Sequence, residues 1–122
     1  MHEYSIAHNI AEIIRQSTPE EDLRSVRTIK LKIGTMAGVV VDSLIFCFDA
    51  IKDTLPFSDA LLDVEQSVFT VHCNVCESVT TNELGVAACS ICGSFDTTIL
   101  SGYELEIVSI EIEENAEEMQ WA

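Results

Sequence analysis

Apolar positions change period several times along the chain, and each change marks an element. In YSIAHNIAEIIRQ, residues 4–16, Ile6, Ile10, Ile13 and Ile14 recur at helical spacing, with Glu12 and Arg15 off that face. Pro19 in the following STPEED ends the helix. VRTIKLKIG then alternates, Ile29, Leu31 and Ile33 one way and Thr28, Lys30 and Lys32 the other, which predicts a half-buried strand closed by Gly34. Asp42 is placed to cap a second helix, SLIFCFDAIKD, whose Leu44, Phe48 and Ile51 form an apolar stripe. After a loop at TLPFSD, LLDVEQSVFTVH reads as one strand running straight into Cys73. A third strand is expected in SGYELEIVSIEIEE. There Leu105 and Ile107 share one parity and Ile110 and Ile112 the other, which calls either for a bulge near Val108–Ser109 or for partial cover of both faces. Glu104 and Glu106 on that strand are expected to face Lys30 and Lys32 across the sheet.

These elements predict an α+β fold, two helices on a three-stranded sheet, interrupted by a segment of another kind. Cys73, Cys76, Cys89 and Cys92 stand as C-x-x-C, twelve residues, C-x-x-C. Two residues between thiols let a tight turn aim both sulfurs at one point, and a second turn alongside completes four thiolate ligands. A closed structural Zn²⁺ site is the first reading, with iron as the other metal soft thiolates hold. The inserted four-cysteine zinc ribbon is expected over residues 73–97. The body then comprises 1–72 plus 98–114, and residues 115–122 form an acidic, frayed tail. Cys47, inside LIFCFDAI, is expected as a small buried hydrophobe.

Charge narrows the function. Six basic and seven acidic residues in positions 1–52 leave −1, whereas positions 53–122 carry fourteen acids and no Lys or Arg, leaving −14. Many zinc ribbons bind nucleic acid through basic residues, but this cysteine half would repel phosphates. The longest apolar runs fall far short of the roughly 20 residues that span a bilayer. No export signal is recognised, so cysteines at metal spacing suit the reducing cytoplasm.

The opening Met1-His2-Glu3 is a second candidate. An α-amine, a deprotonated backbone amide and an imidazole chelate one ion in small planar rings, which suits Ni²⁺ or Cu²⁺ better than Zn²⁺. The α-amine has a pKa of roughly 8, so such a site loads better as pH rises. Taken alone, His2 reads first as a solvated residue of a loose terminus and decides nothing.

Together, MHEYSIAHNI, KLKIGTMAGVVVDSLIFCFDAI, the paired C-x-x-C turns with CSICGS, and SGYELEIVSIEIEE resemble the HypA/HybF family of nickel-delivery proteins in [NiFe]-hydrogenase maturation. The resemblance runs from residue 1 to about 114. It implies Ni(II) as cargo on His2, with the Met1 amine and Glu3 as co-ligands, and structural Zn(II) on Cys73, Cys76, Cys89 and Cys92. It also implies a HypB-type GTPase and a hydrogenase large subunit as partners, and a monomer, with strand exchange as a route to dimers. Family members often have proline after the first cysteine of each turn, where this chain has Asn74 and Ser90. The difference bears on the turns' rigidity rather than on ligation.

Other residues carry less. His72 beside Cys73 is read either as a supporting donor to the metal shell or as a strand-end surface histidine. His8 either approaches the nickel or packs partly buried against the helix's apolar face. No nucleophile with a base and no Gly-rich phosphate loop is evident, so no enzyme is expected. Two alternatives remain open: a rubredoxin-like iron electron carrier, and a zinc-ribbon interaction module without nickel.

Overall fold

The computed structural model describes residues 2–113. Met1 and the expected tail at 115–122 lie outside these residues. Helix α1 spans Glu3–Ser17 and is followed by a 3-10 turn at Glu20–Ser25. Next come β1 (Val26–Gly34), helix α2 (Val41–Lys52), β2 (Leu61–Ser67), β3 (Thr70–Cys73), β4 (Val79–Thr81), β5 (Thr97–Ser101) and β6 (Leu105–Ile112). Two three-stranded sheets result, ordered β2-β1-β6 and β4-β3-β5. The architecture is α+β with a four-cysteine ribbon, as the periodicities predict. Two compact units divide the chain. One comprises Met1–Leu31, Val40–Val64 and Ile107–Ala122, and the other Lys32–Val39 and Glu65–Glu106.

In the first unit α1 packs against α2. Helix α1 buries Ala7, Ile10, Ala11 and Ile14, while Ile13 is exposed, contrary to expectation. At about 100° per residue, Ala7, Ile10, Ala11 and Ile14 fall within one stripe, and Ile13 lies roughly 110° from its centre, so the small Ala7 and Ala11 complete the buried face in its place. Helix α2 buries Leu44, Phe48 and Ile51 as expected. It begins at Val41, with Val40 and not Asp42 at the cap position, and no side chain of the cap residue bonds the first turn. The Val40 N–H instead donates to Glu3 Oε2 at 3.0 Å, so a carboxylate from α1 satisfies the donor. Asp42 sits inside the first turn, where its charge favours the helix dipole. Cys47 is only half-buried, because it flanks the apolar stripe instead of lying on it.

Strand β1 buries Ile29, Leu31 and Ile33 and leaves Lys30 and Lys32 outward, as the alternation predicts. Backbone bonds from Gly34 N to Glu104 O and from Glu113 N to Ser25 O join opposite ends of β1 and β6, which are therefore antiparallel. Thr35 N donates to Ser67 O, so β1 and β2 end side by side, as a strand–helix–strand crossover through α2 requires. Along β6 the less exposed residues are Ile107 and Ile110, three apart, so the inward parity does switch across Val108–Ser109.

Two strand expectations are corrected. LLDVEQSVFTVH is not one strand: it breaks at Val68–Phe69, β2 joining the first sheet and β3 the second. The break lets the fully buried Phe69 turn into the second unit's core with Val71. The apolar parity changes at the same point, with Leu62, Val64 and Val68 on one side and Phe69 and Val71 on the other, which one regular strand does not accommodate. Lys30 pairs with Glu111 at 3.1 Å, not with Glu104 or Glu106, and Arg27 with Glu113 at 3.4 Å. Glu104 feels Lys32, but its Oε1 is taken by the Ser67 hydroxyl and, at 2.8 Å, by the Gly102 N–H. Gly34 and Gly102 permit this corner, since a Cβ on Gly34 would lie 2.0 Å from the Gly102 carbonyl.

Candidate metal centre

Strand β3 is the middle of the second sheet, antiparallel to both β4 and β5, and its last residue is Cys73. The chain then makes the same turn twice, sixteen residues apart. In the first, Cys73 N donates to Ser78 O at 2.8 Å and Glu77 N to Cys73 O at 2.9 Å. In the second, Cys89 N donates to Ser94 O at 2.8 Å and Gly93 N to Cys89 O at 2.9 Å. Each turn points two amides at its leading sulfur: Val75 and Cys76 N–H at Cys73 Sγ, Ile91 and Cys92 N–H at Cys89 Sγ, all at 3.4 Å. The residue after the second cysteine has positive φ in both, 62° at Glu77 and 79° at Gly93. The repeated sequence C-x-(V/I)-C-(E/G)-S thus encodes one backbone conformation.

The turns bring all four sulfurs within 4.8 Å of one another, with Cys73 and Cys89 buried and Cys76 and Cys92 exposed. Cys73 and Cys92 Sγ lie 3.6 Å apart, as do Cys76 and Cys89 Sγ. These separations are far beyond the roughly 2.05 Å of a disulfide. They match the edge of about 3.8 Å for a tetrahedron with metal–sulfur bonds of about 2.3 Å. The four residues fit a tetrahedral thiophilic cation. Among the described residues this is the one group of three or more metal-ligating side chains converging in this way.

Electrostatics agree. The Ser78 hydroxyl, 3.3 Å from Cys76 Sγ, with the Ser78 backbone N–H, draws the Cys76 thiol down to about 6. The Cys92 and Ile91 N–H groups hold Cys89 below the ordinary thiol range. At Cys92 the Ser94 N–H also pulls downward, but Cys73, desolvation and the remaining thiols together outweigh it and push the group up to about 11. Four sulfurs this close cannot all carry charge unaided, and a divalent cation at their centre removes that repulsion.

Asn74 replaces the stiffening that a proline would supply. Its N–H donates to Asp96 O at 2.9 Å, a bond proline lacks, and its side-chain amide reaches Asp96 Oδ1 at 3.1 Å and Thr98 Oγ1 at 3.3 Å. The first turn is thereby fastened to β5 and the residues before it. These bonds cross 22 and 24 residues of chain, and no local signal announces them. His72 Nδ1 lies 3.3 Å from Asn74 Oδ1, which ties the histidine to this network at the strand end.

At the other candidate site, His2 is exposed and precedes the first helical residue, and its carbonyl accepts the Ile6 N–H at 2.9 Å. Glu3 has one carboxylate oxygen on Val40 N, and that bond holds its carboxyl below the usual range. His8 is exposed, not partly buried. Its ring stands edge-on to Tyr4 with centroids 4.6 Å apart.

Residues 1–112 match the family described as hydrogenase/urease nickel incorporation, metallochaperone, hypA. The chain is 32% identical to the hydrogenase maturation factor HypA of Roseiflexus sp. (strain RS-1) over 119 residues, 97% of each chain. It is 39% identical to that of Chlorobium phaeobacteroides (strain BS1) over 113 residues, 93% of this chain and all of the relative. The solution structure of the Ni metallochaperone HypA from Helicobacter pylori superposes with a TM-score of 0.62 at 23% identity, covering 92% of this chain and 97% of that one. A second HypA solution structure gives 0.67 at 22%, covering 94% and 98%. Those two likenesses bear on the fold, and the sequence matches on the family: the chain belongs to the HypA family of hydrogenase maturation nickel metallochaperones.

Proposed function

We propose that this protein takes up Ni(II) at Met1-His2-Glu3 and delivers it to a [NiFe]-hydrogenase large subunit, with zinc on Cys73, Cys76, Cys89 and Cys92 as a structural ion. The observation that carries the reading is the family match, which extends from residue 1 to residue 112 and so includes both metal-ligand sets. In this reading residues 1–72 plus 98–114 serve nickel and 73–97 serve zinc. The partners are a HypB-type GTPase and the hydrogenase precursor, and the setting is the cytoplasm. No described helix is long and apolar enough to cross a membrane.

The chemistry of the two sites supports different tasks. Four thiolates saturate a tetrahedral zinc and leave no open position, so the ion holds the turns together. The Met1 amine, the His2 amide nitrogen and the imidazole offer the planar nitrogen set that nickel favours. Amides of a helix's first turn have no carbonyl partner in the helix, which leaves them available. The positive end of α1 opposes a cation there, while the Glu3 carboxylate offsets it. The result is a site of restrained affinity, as release to a recipient requires. Glu3 also ties α1 to the start of α2, so loading that draws its carboxylate away would be felt at Val40.

Adding one residue before Met1 removes the amine from chelating reach without touching the cysteines. Calorimetry is expected to show Ni(II) binding lost and zinc content unchanged. Undiminished nickel affinity in the extended protein would exclude the terminal site. Metal analysis of the purified protein distinguishes zinc from iron at the cysteines.

A further inference from the structure

The two cysteine turns are fastened to each other by side chains that are not metal ligands. Asp96 lies four residues beyond Cys92, and its N–H donates at 3.0 Å to the hydroxyl of Ser94, the residue whose carbonyl closes the second turn on Cys89 N. Its other groups reach the first turn. The Asp96 carbonyl accepts the Asn74 N–H at 2.9 Å, and its Oδ1 accepts Asn74 Nδ2 at 3.1 Å. Thr97 adds a second tie. It stands opposite Cys73 in the β3–β5 register, while its hydroxyl donates at 2.9 Å to the carbonyl of Ala87, two residues before Cys89. By exposure alone Asp96 is one more solvated acid, but its bonds run to both turns.

These ties oppose one motion above others. Four sulfurs in a tetrahedron form two pairs whose planes through the metal are perpendicular, whereas in a square those planes coincide. Each turn supplies one pair, so flattening the site rotates one turn against the other by about a quarter of a circle. The 3.6 Å approaches of Cys73 to Cys92 and of Cys76 to Cys89 both join opposite turns and change with that rotation. So do the bonds from Asp96 to Asn74 and from Thr97 to Ala87. Zinc has no d-electron preference and accepts the tetrahedron, while Ni(II) favours a planar set. We infer that Asp96, with Thr97, keeps Ni(II) out of the cysteine site by holding the two turns at the tetrahedral crossing. The inference deepens the metallochaperone reading and rests on it in taking nickel as cargo: a chain that carries nickel on one ligand set must not lose it to four thiolates on another.

Titrating the full-length, zinc-loaded protein with Ni(II) is the test. Metal analysis follows zinc release, and thiolate-to-nickel charge-transfer absorption follows nickel arriving at sulfur. Asp96→Ala is expected to lower the Ni(II) concentration for half-replacement by about tenfold, the usual scale for residues that orient metal ligands. Thr97→Val, which keeps the strand's shape, should lower it as well. Asp96→Asn, whose amide oxygen still accepts from Asn74, should keep the wild-type value. Co(II), which stays tetrahedral among four thiolates, should replace zinc equally in all four proteins, whereas turns that were only loosened would admit both ions. The inference is overturned if neither Asp96→Ala nor Thr97→Val eases nickel replacement, if Co(II) replacement shifts as far as that of nickel, or if Asp96→Asn behaves as Asp96→Ala. Nickel held by Met1-His2-Glu3 produces no thiolate band, so loss of the terminal site in calorimetry and loss of this discrimination are read separately.

Discussion

Glu77 and Gly93 stand at the same point of two equivalent turns, and only one has the side chain suited to it. At φ 62° a residue with a Cβ is strained by about 1 kcal/mol, while glycine at φ 79° is not. Glu77→Gly is therefore expected to stabilise the metal-loaded protein by about 1 kcal/mol, and Gly93→Ala to destabilise it by a similar amount, read from urea midpoints. Open space around Gly93 leaves backbone strain as the main cost. The paired cysteines and Gly93 were legible in the sequence because ligand spacing is local. Glu77 stands opposite Gly93 in the repeat, but a glutamate there does not announce a positive φ, which the structure shows. Asn74 shows the same limit: it reads as a missing proline, yet it fastens the turn to residues more than twenty positions away.

At the scale of elements, α2 carries Phe46 and Phe48 two residues apart with opposite fates, 75% exposed and fully buried. Removing the buried ring leaves a cavity, so Phe48→Ala should cost about 3–5 kcal/mol in urea unfolding. Phe46→Ala should stay within about 0.5 kcal/mol. The helical period separates them, which is why Leu44, Phe48 and Ile51 were predictable as core. The break of the β2–β3 run is marked only by a change of apolar parity between Val68 and Phe69, which a bulge inside one strand would equally produce. Glu104 marks this corner. The Ser67 hydroxyl and then the Gly102 N–H hold its carboxyl below the usual range. A carboxyl with a depressed folded pKa contributes stability above its unfolded pKa of roughly 4.3, and that stability is lost as pH falls through the folded value. The loss of stability on acidification should thus be shallower in Glu104→Gln than in the wild type, measured by unfolding midpoints across pH 3–6 (roughly the carboxylate range).

For the molecule as a whole, the two units depend on different sources of order. Residues Met1–Leu31 and Val40–Val64 bury Ile10, Ile14, Val26, Ile29, Leu44, Phe48 and Phe57, a hydrophobic core in its own right. The unit of Lys32–Val39 and Glu65–Glu106 buries far fewer side chains, chiefly Ile33, Phe69, Val71, Cys73 and Cys89. Such a small core needs its metal. Chelation is expected to leave the far-ultraviolet helical signal of α1 and α2 in place. Amides of β3–β5 should lose their protection from hydrogen exchange at the same time. If both units lost protection together, the metal would be holding the whole chain.

The sequence by itself determined the converging four cysteines, the two helices, the alternating β1 and the imbalance of charge, because each depends on spacing within a few turns or on composition. Tertiary structure alone decided that Phe69 turns into a second core, that Glu3 satisfies the start of α2, that Lys30 meets Glu111, and that Asn74 anchors the first cysteine turn. Each of these joins residues far apart in the chain. Their partners are chosen by the packing of whole elements, to which local periodicity is blind.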